Sequence, residues 1–85
     1  MHMKVYVYIL FSHSLQKYYA GISDDVQKRL HQHNTGMGQF TSTGVPWVLI
    51  TVIECSSRSE AMILEKKIKK RGIKRYMEDN GIVSP

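Results

Sequence analysis

The sequence VYVYIL at residues 5–10 is followed by YYAGI at 18–22 and then directly by SDDVQKRLHQHN at 23–34. The first two segments are rich in the β-branched and aromatic residues that favour strands, and the third has the spacing of an amphipathic helix. Tyrosines, an arginine and a histidine occupy positions in this succession where the periodicity indicates core residues. The succession therefore predicts two strands and a helix that together carry a polar site.

Three strands are predicted from the periodicity. Residues 4–11 alternate between two faces, one with Val5, Val7 and Ile9 and the other with Tyr6, Tyr8 and Leu10. A second strand over about 17–22 follows a short polar connection, which favours an antiparallel hairpin. Residues 47–54 form a nearly continuous apolar run that is typical of a buried strand.

The helices are marked by capping residues. Asp24 followed by Gln27 fits a capping box, which predicts a first helix that runs to about His33 and is stopped by the Gly-containing residues 34–38. Ser57 or Ser59 can cap a second helix that ends at residues 71–72, and a short helix is expected at 73–79. The loop up to Pro46 is long for so small a chain, and such loops often carry function.

Length and composition limit the class of protein. The 85 residues predict one domain over 1–85, with no apolar run near the ~18 residues of a membrane span and no leader that resembles a signal peptide. The single Cys55 suits a reducing compartment and excludes a cysteine-based zinc cluster. We therefore expect a cytoplasmic protein that does not associate with membranes.

The positive charge is local. The formal net charge is +5, and eight of the twelve Lys and Arg residues lie at or after Arg58. Such a basic face favours a nucleic acid through counterion release, although a solvated helix face is the simpler alternative.

Polar residues fall on apolar stripes in both long helices. In the first helix Arg29 and His33 share the spacing of Val26 and Leu30, and in the second helix Glu65 falls within the apolar window, so all three side chains are expected to face inward. A buried Arg–Glu ion pair satisfied by tyrosine hydroxyls would also explain the pattern. Because buried ion pairs are a poor source of stability, we favour a functional site.

Each residue type in this set suits phosphodiester hydrolysis. Mg²⁺ can be held by one carboxylate while it keeps waters and a substrate phosphate, which Glu65 could provide. Arg29 could hold a phosphate through two parallel hydrogen bonds. Tyr8, Tyr19 and His33 could position or deprotonate a water molecule, provided that a nearby cation lowers the pKa of a phenol.

The chain resembles the GIY-YIG nuclease domain over about residues 5–71, in particular the small single-domain members and the N-terminal nuclease module of the bacterial excision-repair incision subunit. The matching positions are Tyr6-Val7-Tyr8, Tyr19-Ala20-Gly21, Arg29, His33 and Glu65. Tyr6 replaces the glycine of the first motif, and Ala20 replaces the middle residue of the second. Asn80 is a weak match to a late asparagine of the family, because Asn80-Gly81 also reads as a helix end.

The resemblance implies an α/β (α+β) fold with a three-stranded antiparallel sheet flanked by helices, in the order β-β-α-β-α-(α). It also implies one divalent cation, Mg²⁺ or Mn²⁺, held by Glu65, and catalysis by Tyr8, Tyr19, Arg29 and His33 on DNA, with RNA left open. Beside such a site, the basic residues expected to contact phosphates are Lys66, Lys67, Lys69, Lys70, Arg71 and Lys74.

The leading hypothesis is a metal-dependent endonuclease, selective for nucleic-acid structure and active in DNA repair or recombination. A protein partner would supply any sequence selectivity. The alternatives are a non-catalytic nucleic-acid-binding module that kept the fold, and a protein-interaction domain whose basic helix meets an acidic partner.

Overall fold

The computed structural model describes residues 4–36 and 41–83. Its elements are β1 (Val5–Ser12), β2 (Lys17–Ser23), α1 (Val26–Asn34), a 3₁₀ turn (Thr41–Gly44), β3 (Trp47–Cys55), α2 (Arg58–Arg71) and α3 (Ile73–Asp79). The strands form one antiparallel sheet in the order β2-β1-β3. The predicted three-stranded α+β fold is therefore confirmed, while residues 37–40 of the predicted loop lie outside the described residues.

The central strand β1 is buried on both faces. On one face Val5, Val7 and Ile9 pack with Ala61 and Ile68 of α2 and with Met77 of α3. On the other face Tyr8 and Leu10 pack with Val26 of α1 and with Trp47. The alternation between two faces predicted for residues 4–11 is thus confirmed, and both faces are buried because helices cover both sides of the sheet.

The cap of α1 differs from the sequence prediction. Asp25 is the N-cap, and its Oδ1 accepts a hydrogen bond from the backbone N–H of Lys28 at 3.1 Å. The predicted cap, Asp24, is exposed. The backbone N–H of Asp25 donates to Oγ of Ser23 at 2.9 Å, so the last residue of β2 holds the turn and delays the helix by one residue.

The second and third helices begin and end as predicted. Ser57 is the N-cap of α2, since its Oγ accepts from the backbone N–H of Glu60 at 3.1 Å. Gly72 ends α2 with a φ of 95°, and its N–H donates to the carbonyl of Ile68 at 3.0 Å. No helix within residues 4–36 and 41–83 is long and apolar enough to cross a membrane.

Gly21 is required by the packing of the sheet. It lies opposite Tyr8 in the β1–β2 register, and the phenol of Tyr8 passes directly over it. A Cβ atom at residue 21 would lie 2.6 Å from Cζ of Tyr8 and even closer to its hydroxyl oxygen. A glycine at residue 21 therefore lets the ring of the central-strand tyrosine lie directly over β2.

We predict that Gly21→Ala destabilises the protein by about 1–3 kcal/mol, because the added methyl group forces the buried phenol of Tyr8 from its place. Urea denaturation measures the change. In a Tyr8→Leu background the same Gly21→Ala substitution should cost less, because the ring that it meets is gone. An equal cost in both backgrounds would show that the close approach does not constrain residue 21.

Candidate active site

A buried hydrogen-bond chain links β1, α1 and the 3₁₀ turn. The hydroxyl of Tyr8 lies 3.0 Å from Nε2 of His33, and Nδ1 of His33 lies 2.7 Å from Oγ1 of Thr41. All three residues are buried. Both ring nitrogens of the histidine therefore have partners, and the ring cannot rotate without leaving a buried polar group unsatisfied.

The turn that carries Thr41 is held by Trp47, and the backbone of Trp47 is held in turn by Asn34. The indole N–H of Trp47 donates to the carbonyl of Thr41 at 2.7 Å. Asn34, the last residue of α1, accepts from the backbone N–H of Trp47 at 2.6 Å and donates to its carbonyl at 3.1 Å. Thr41 and Asn34 were not identified from the sequence, where one sits in a Ser/Thr/Gly loop and the other ends a helix.

Tyr19 stands beside this chain on β2. Its ring centroid lies 6.4 Å from that of Tyr8 and 5.1 Å from that of His33, which it meets edge-on at 64°. Trp47 contacts the same ring with a centroid distance of 6.2 Å. Three of the five predicted catalytic residues, Tyr8, Tyr19 and His33, therefore form one aromatic and imidazole cluster.

The two charged members occupy more open positions. Arg29 was expected to face inward, but that expectation is wrong: the residue is exposed, although it shares the helix face of His33. The side chain of Glu65 is 24% exposed and forms an ion pair with Lys69 at 3.6 Å. Because Arg29 is exposed, the alternative of a buried Arg–Glu ion pair is also wrong. A long cationic side chain on the margin of a helix stripe can extend to solvent.

The charges of Arg29 and Glu65 nevertheless both influence the pKa of the Tyr8 hydroxyl. Burial and the neighbouring Tyr19 raise the pKa of Tyr8 to about 12, while Arg29 lowers it and Glu65 raises it further. Both charges must lie near the tyrosine hydroxyl to influence its ionisation. Through Tyr8, the structure connects the cation of α1 to the carboxylate of α2.

Both partners of the central hydrogen bond are neutral near pH 7. The raised pKa keeps Tyr8 protonated, and burial, followed by the nearby Arg29, lowers the pKa of His33. A neutral imidazole donates through one nitrogen and accepts through the other. When Nδ1–H donates to Oγ1 of Thr41, Nε2 is free to accept the proton of Tyr8.

The donor set suits a hard divalent cation held by few protein ligands. Within the described residues no three His, Cys, Asp or Glu side chains are grouped closely enough to hold a metal. Glu65 provides one carboxylate that is partly open to solvent. Mg²⁺ can bind through one carboxylate and keep several waters, so the site fits this cation better than it fits zinc, which needs a closed set of ligands.

The predicted phosphate-binding residues do not share one face. Lys67 and Lys69 lie about 200° apart around α2. Lys69 and Lys74 line a common recess, whereas Arg71 donates two hydrogen bonds to Asp79, at 2.7 and 3.1 Å. Of the six predicted phosphate-binding residues, Lys69 and Lys74 therefore share one recess, and Arg71 is held by an acidic residue instead.

Comparison with known proteins shows consistent matches. The sequence profile of the GIY-YIG catalytic domain matches residues 4–77. A UPF0213 protein of Staphylococcus haemolyticus is 40% identical over 67 residues, 78% of this chain and 80% of the relative. A UPF0213 protein of Streptococcus pneumoniae is 35% identical over 72 residues, 84% of this chain and 72% of the relative.

A solved structure shares the fold. The solution structure of a UPF0213 protein from Bacillus halodurans is 29% identical, has a TM-score of 0.57, and aligns with 93% of this chain and 84% of its own. The names of these relatives state no activity.

We predict that His33 makes stability depend on pH. The unfolded chain binds a proton at this residue near pH 6.5, whereas the folded protein, with its lowered pKa, does not. Stability should therefore be full above about pH 6.5 and fall as the pH decreases from there towards the pKa of the folded state. Urea denaturation between about pH 5 and 8 should show this slope.

A matched pair of variants assigns the slope to one histidine. His33→Gln should flatten it, and His31→Gln, at an exposed position of the same helix, should retain it. An unchanged slope in His33→Gln would contradict the assignment.

We also predict that Thr41→Val destabilises the protein by about 1–3 kcal/mol, because Nδ1 of His33 loses its buried partner. Thr41→Ser keeps a hydroxyl and should retain most of the stability. If Ser and Val cost the same, the methyl group of Thr41 matters and its hydroxyl does not. Thermal or urea denaturation distinguishes these results.

Proposed function

The chain belongs to the GIY-YIG catalytic domain family, and from this premise we propose that it is a metal-dependent endonuclease that hydrolyses phosphodiester bonds of DNA. One observation carries the proposal: the hydroxyl of Tyr8 is hydrogen-bonded to a neutral histidine while Arg29 and Glu65 both act on it. In the roles that we propose, His33 is a proton acceptor, Arg29 a phosphate ligand and Glu65 a metal ligand for a reaction beside this hydroxyl.

The proton transfer that we propose runs through Tyr8 to His33. A water molecule beside the tyrosine oxygen gives a proton to that oxygen as the phenol passes its own proton to Nε2 of His33. The lowered pKa keeps His33 unprotonated and ready to accept near neutral pH. The imidazolium that forms is stabilised by the negative charge of the substrate, and Thr41 holds the ring in place through Nδ1.

Arg29 and Glu65 serve the phosphate side of the reaction. Because Arg29 is exposed, its guanidinium can make two parallel hydrogen bonds to the scissile phosphate and neutralise the charge that develops there. Glu65 would hold Mg²⁺ or Mn²⁺ with one carboxylate oxygen. When bound, the cation stabilises charge on the phosphoryl and leaving oxygens.

The biological setting that we propose is DNA repair or recombination. This setting is supported by the resemblance to the nuclease module of the excision-repair incision subunit. A protein partner would direct the activity to its target.

We predict that Glu65→Gln lowers Mg²⁺-dependent cleavage by about 100-fold or more, because the amide keeps the size of the side chain but removes the charge that holds the metal. Binding of DNA in EDTA should stay the same or become slightly tighter. Glu78→Gln is the matched control, since Glu78 is an exposed acid of α3 outside the site. Cleavage of labelled DNA and RNA substrates measures the rates.

Arg29→Ala should lower cleavage by about 100- to 1,000-fold, the usual cost of losing a positioned charge stabiliser. Equal cleavage by the wild type and by folded Glu65→Gln would refute the role of Glu65. If the wild type binds DNA but cuts nothing on a panel of duplex, branched and single-stranded substrates, the chain is a non-catalytic nucleic-acid-binding module.

A further inference from the structure

A basic recess lies beside the candidate active site, between the start of β2 and the junction of α2 with α3. Its volume is about 410 Å³, and it is lined by Gln16, Lys17, Tyr18, Lys69, Ile73 and Lys74. Three of the six lining residues are lysines, one each from β2, α2 and α3, and none of the six is acidic. The recess therefore favours a ligand that carries negative charge.

One contact connects the recess to the candidate site. Lys69 forms its ion pair with Glu65, one helical turn away on α2. Tyr18 of the recess and Tyr19 of the aromatic cluster are neighbours in β2, but they pack on opposite faces of the sheet. The recess therefore adjoins the proposed metal ligand and lies across β2 from the tyrosine of the second motif.

We propose that this recess binds one unpaired nucleic-acid strand next to the phosphate that is cut, and that the protein selects single-stranded substrate segments. The inference rests on the proposed function for the position of the scissile phosphate. Lys17, Lys69 and Lys74 contact a neighbouring phosphate, and the aromatic ring of Tyr18 supports its base. This assignment adds Lys17 and Tyr18 to the residues of α2 and α3 that are expected to contact nucleic acid.

The lining of the recess favours a single strand over a duplex. Its volume falls within the ~300–1,000 Å³ of pockets that take small molecules, which suits one nucleotide. Single-strand sites combine a positively charged groove with an aromatic side chain on which a base stacks. Tyr18 is half-buried in the wall of the recess and is supported from behind by Phe11, with ring centroids 4.8 Å apart.

Binding of a fluorescein-labelled oligothymidylate in EDTA, followed by anisotropy, tests the phosphate contacts. Lys17→Gln/Lys74→Gln should weaken binding by about tenfold or more and reduce the log–log salt slope by about 1.4, which is ~0.7 for each lysine on a single strand. Lys4→Gln/Arg58→Gln is the control and removes the same charge outside the recess, next to the first residue of β1 and at the first residue of α2. It should weaken binding by less than about threefold. Equal losses in the two double variants would overturn the recess as a site.

The aromatic contact is tested separately. Tyr18→Leu should weaken binding of the oligothymidylate by about 5- to 150-fold, which corresponds to ~1–3 kcal/mol for one stacked base, whereas Tyr18→Phe should bind like the wild type. Thermal denaturation controls for the fold. A hairpin duplex of equal charge should bind more weakly than the single strand and should not respond to Tyr18→Leu. Preference for the duplex, or a loss that affects both ligands alike, would overturn the selection of single strands.

These measurements are independent of cleavage. If the protein binds single strands through the recess but cuts none of them with Mg²⁺ or Mn²⁺, the recess assignment holds and the nuclease proposal fails. If it cuts duplex DNA and the recess variants cut and bind normally, the nuclease proposal holds and the recess assignment fails.

Discussion

The phenol of Tyr8 extends from the middle of the sheet, over Gly21, to a histidine on the helix that follows. This close approach requires a strand position without a side chain, a hydroxyl at the end of the ring and a buried acceptor beyond it. Because the central strand is covered on both faces, the phenol cannot move aside without disturbing the core. The polar cluster around Tyr8 is thereby held by the same packing that stabilises the domain.

Periodicity and capping chemistry predicted the elements closely, because strands and helices are local. The limits of α2 follow from Ser57 and Gly72, which act through contacts within a few residues. The predicted N-cap of α1 was wrong because two adjacent residues are equally suitable as caps. Asp24 and Asp25 are both good caps, and the choice was made by a contact of Ser23 that lies outside the helix pattern. The exposure of Arg29 could not be predicted either, since a helix stripe does not tell how far a long side chain extends from its margin.

The support of the site depends on contacts between residues distant in sequence. Thr41 is eight residues from His33, and Asn34 is thirteen residues from the strand residue that it holds, so no local pattern indicates either contact. The charge cluster was visible in the sequence as one group. Helical geometry divides it, and Lys69 of α2 and Lys74 of α3 line the recess together with Lys17 of β2. Tertiary arrangement, and not composition, determines which cations lie beside the site.

The proposed function requires the cluster around Tyr8 to be one site, with a divalent cation at Glu65. Paramagnetic broadening of NMR signals by a small amount of Mn²⁺ tests it directly and needs no substrate. We expect the signals of Glu65, Tyr8 and Arg29 to broaden first, and the broadening to disappear in Glu65→Gln. Broadening centred on another acidic surface, such as Asp24 and Asp25 at the start of α1, or broadening that persists in Glu65→Gln, would contradict it.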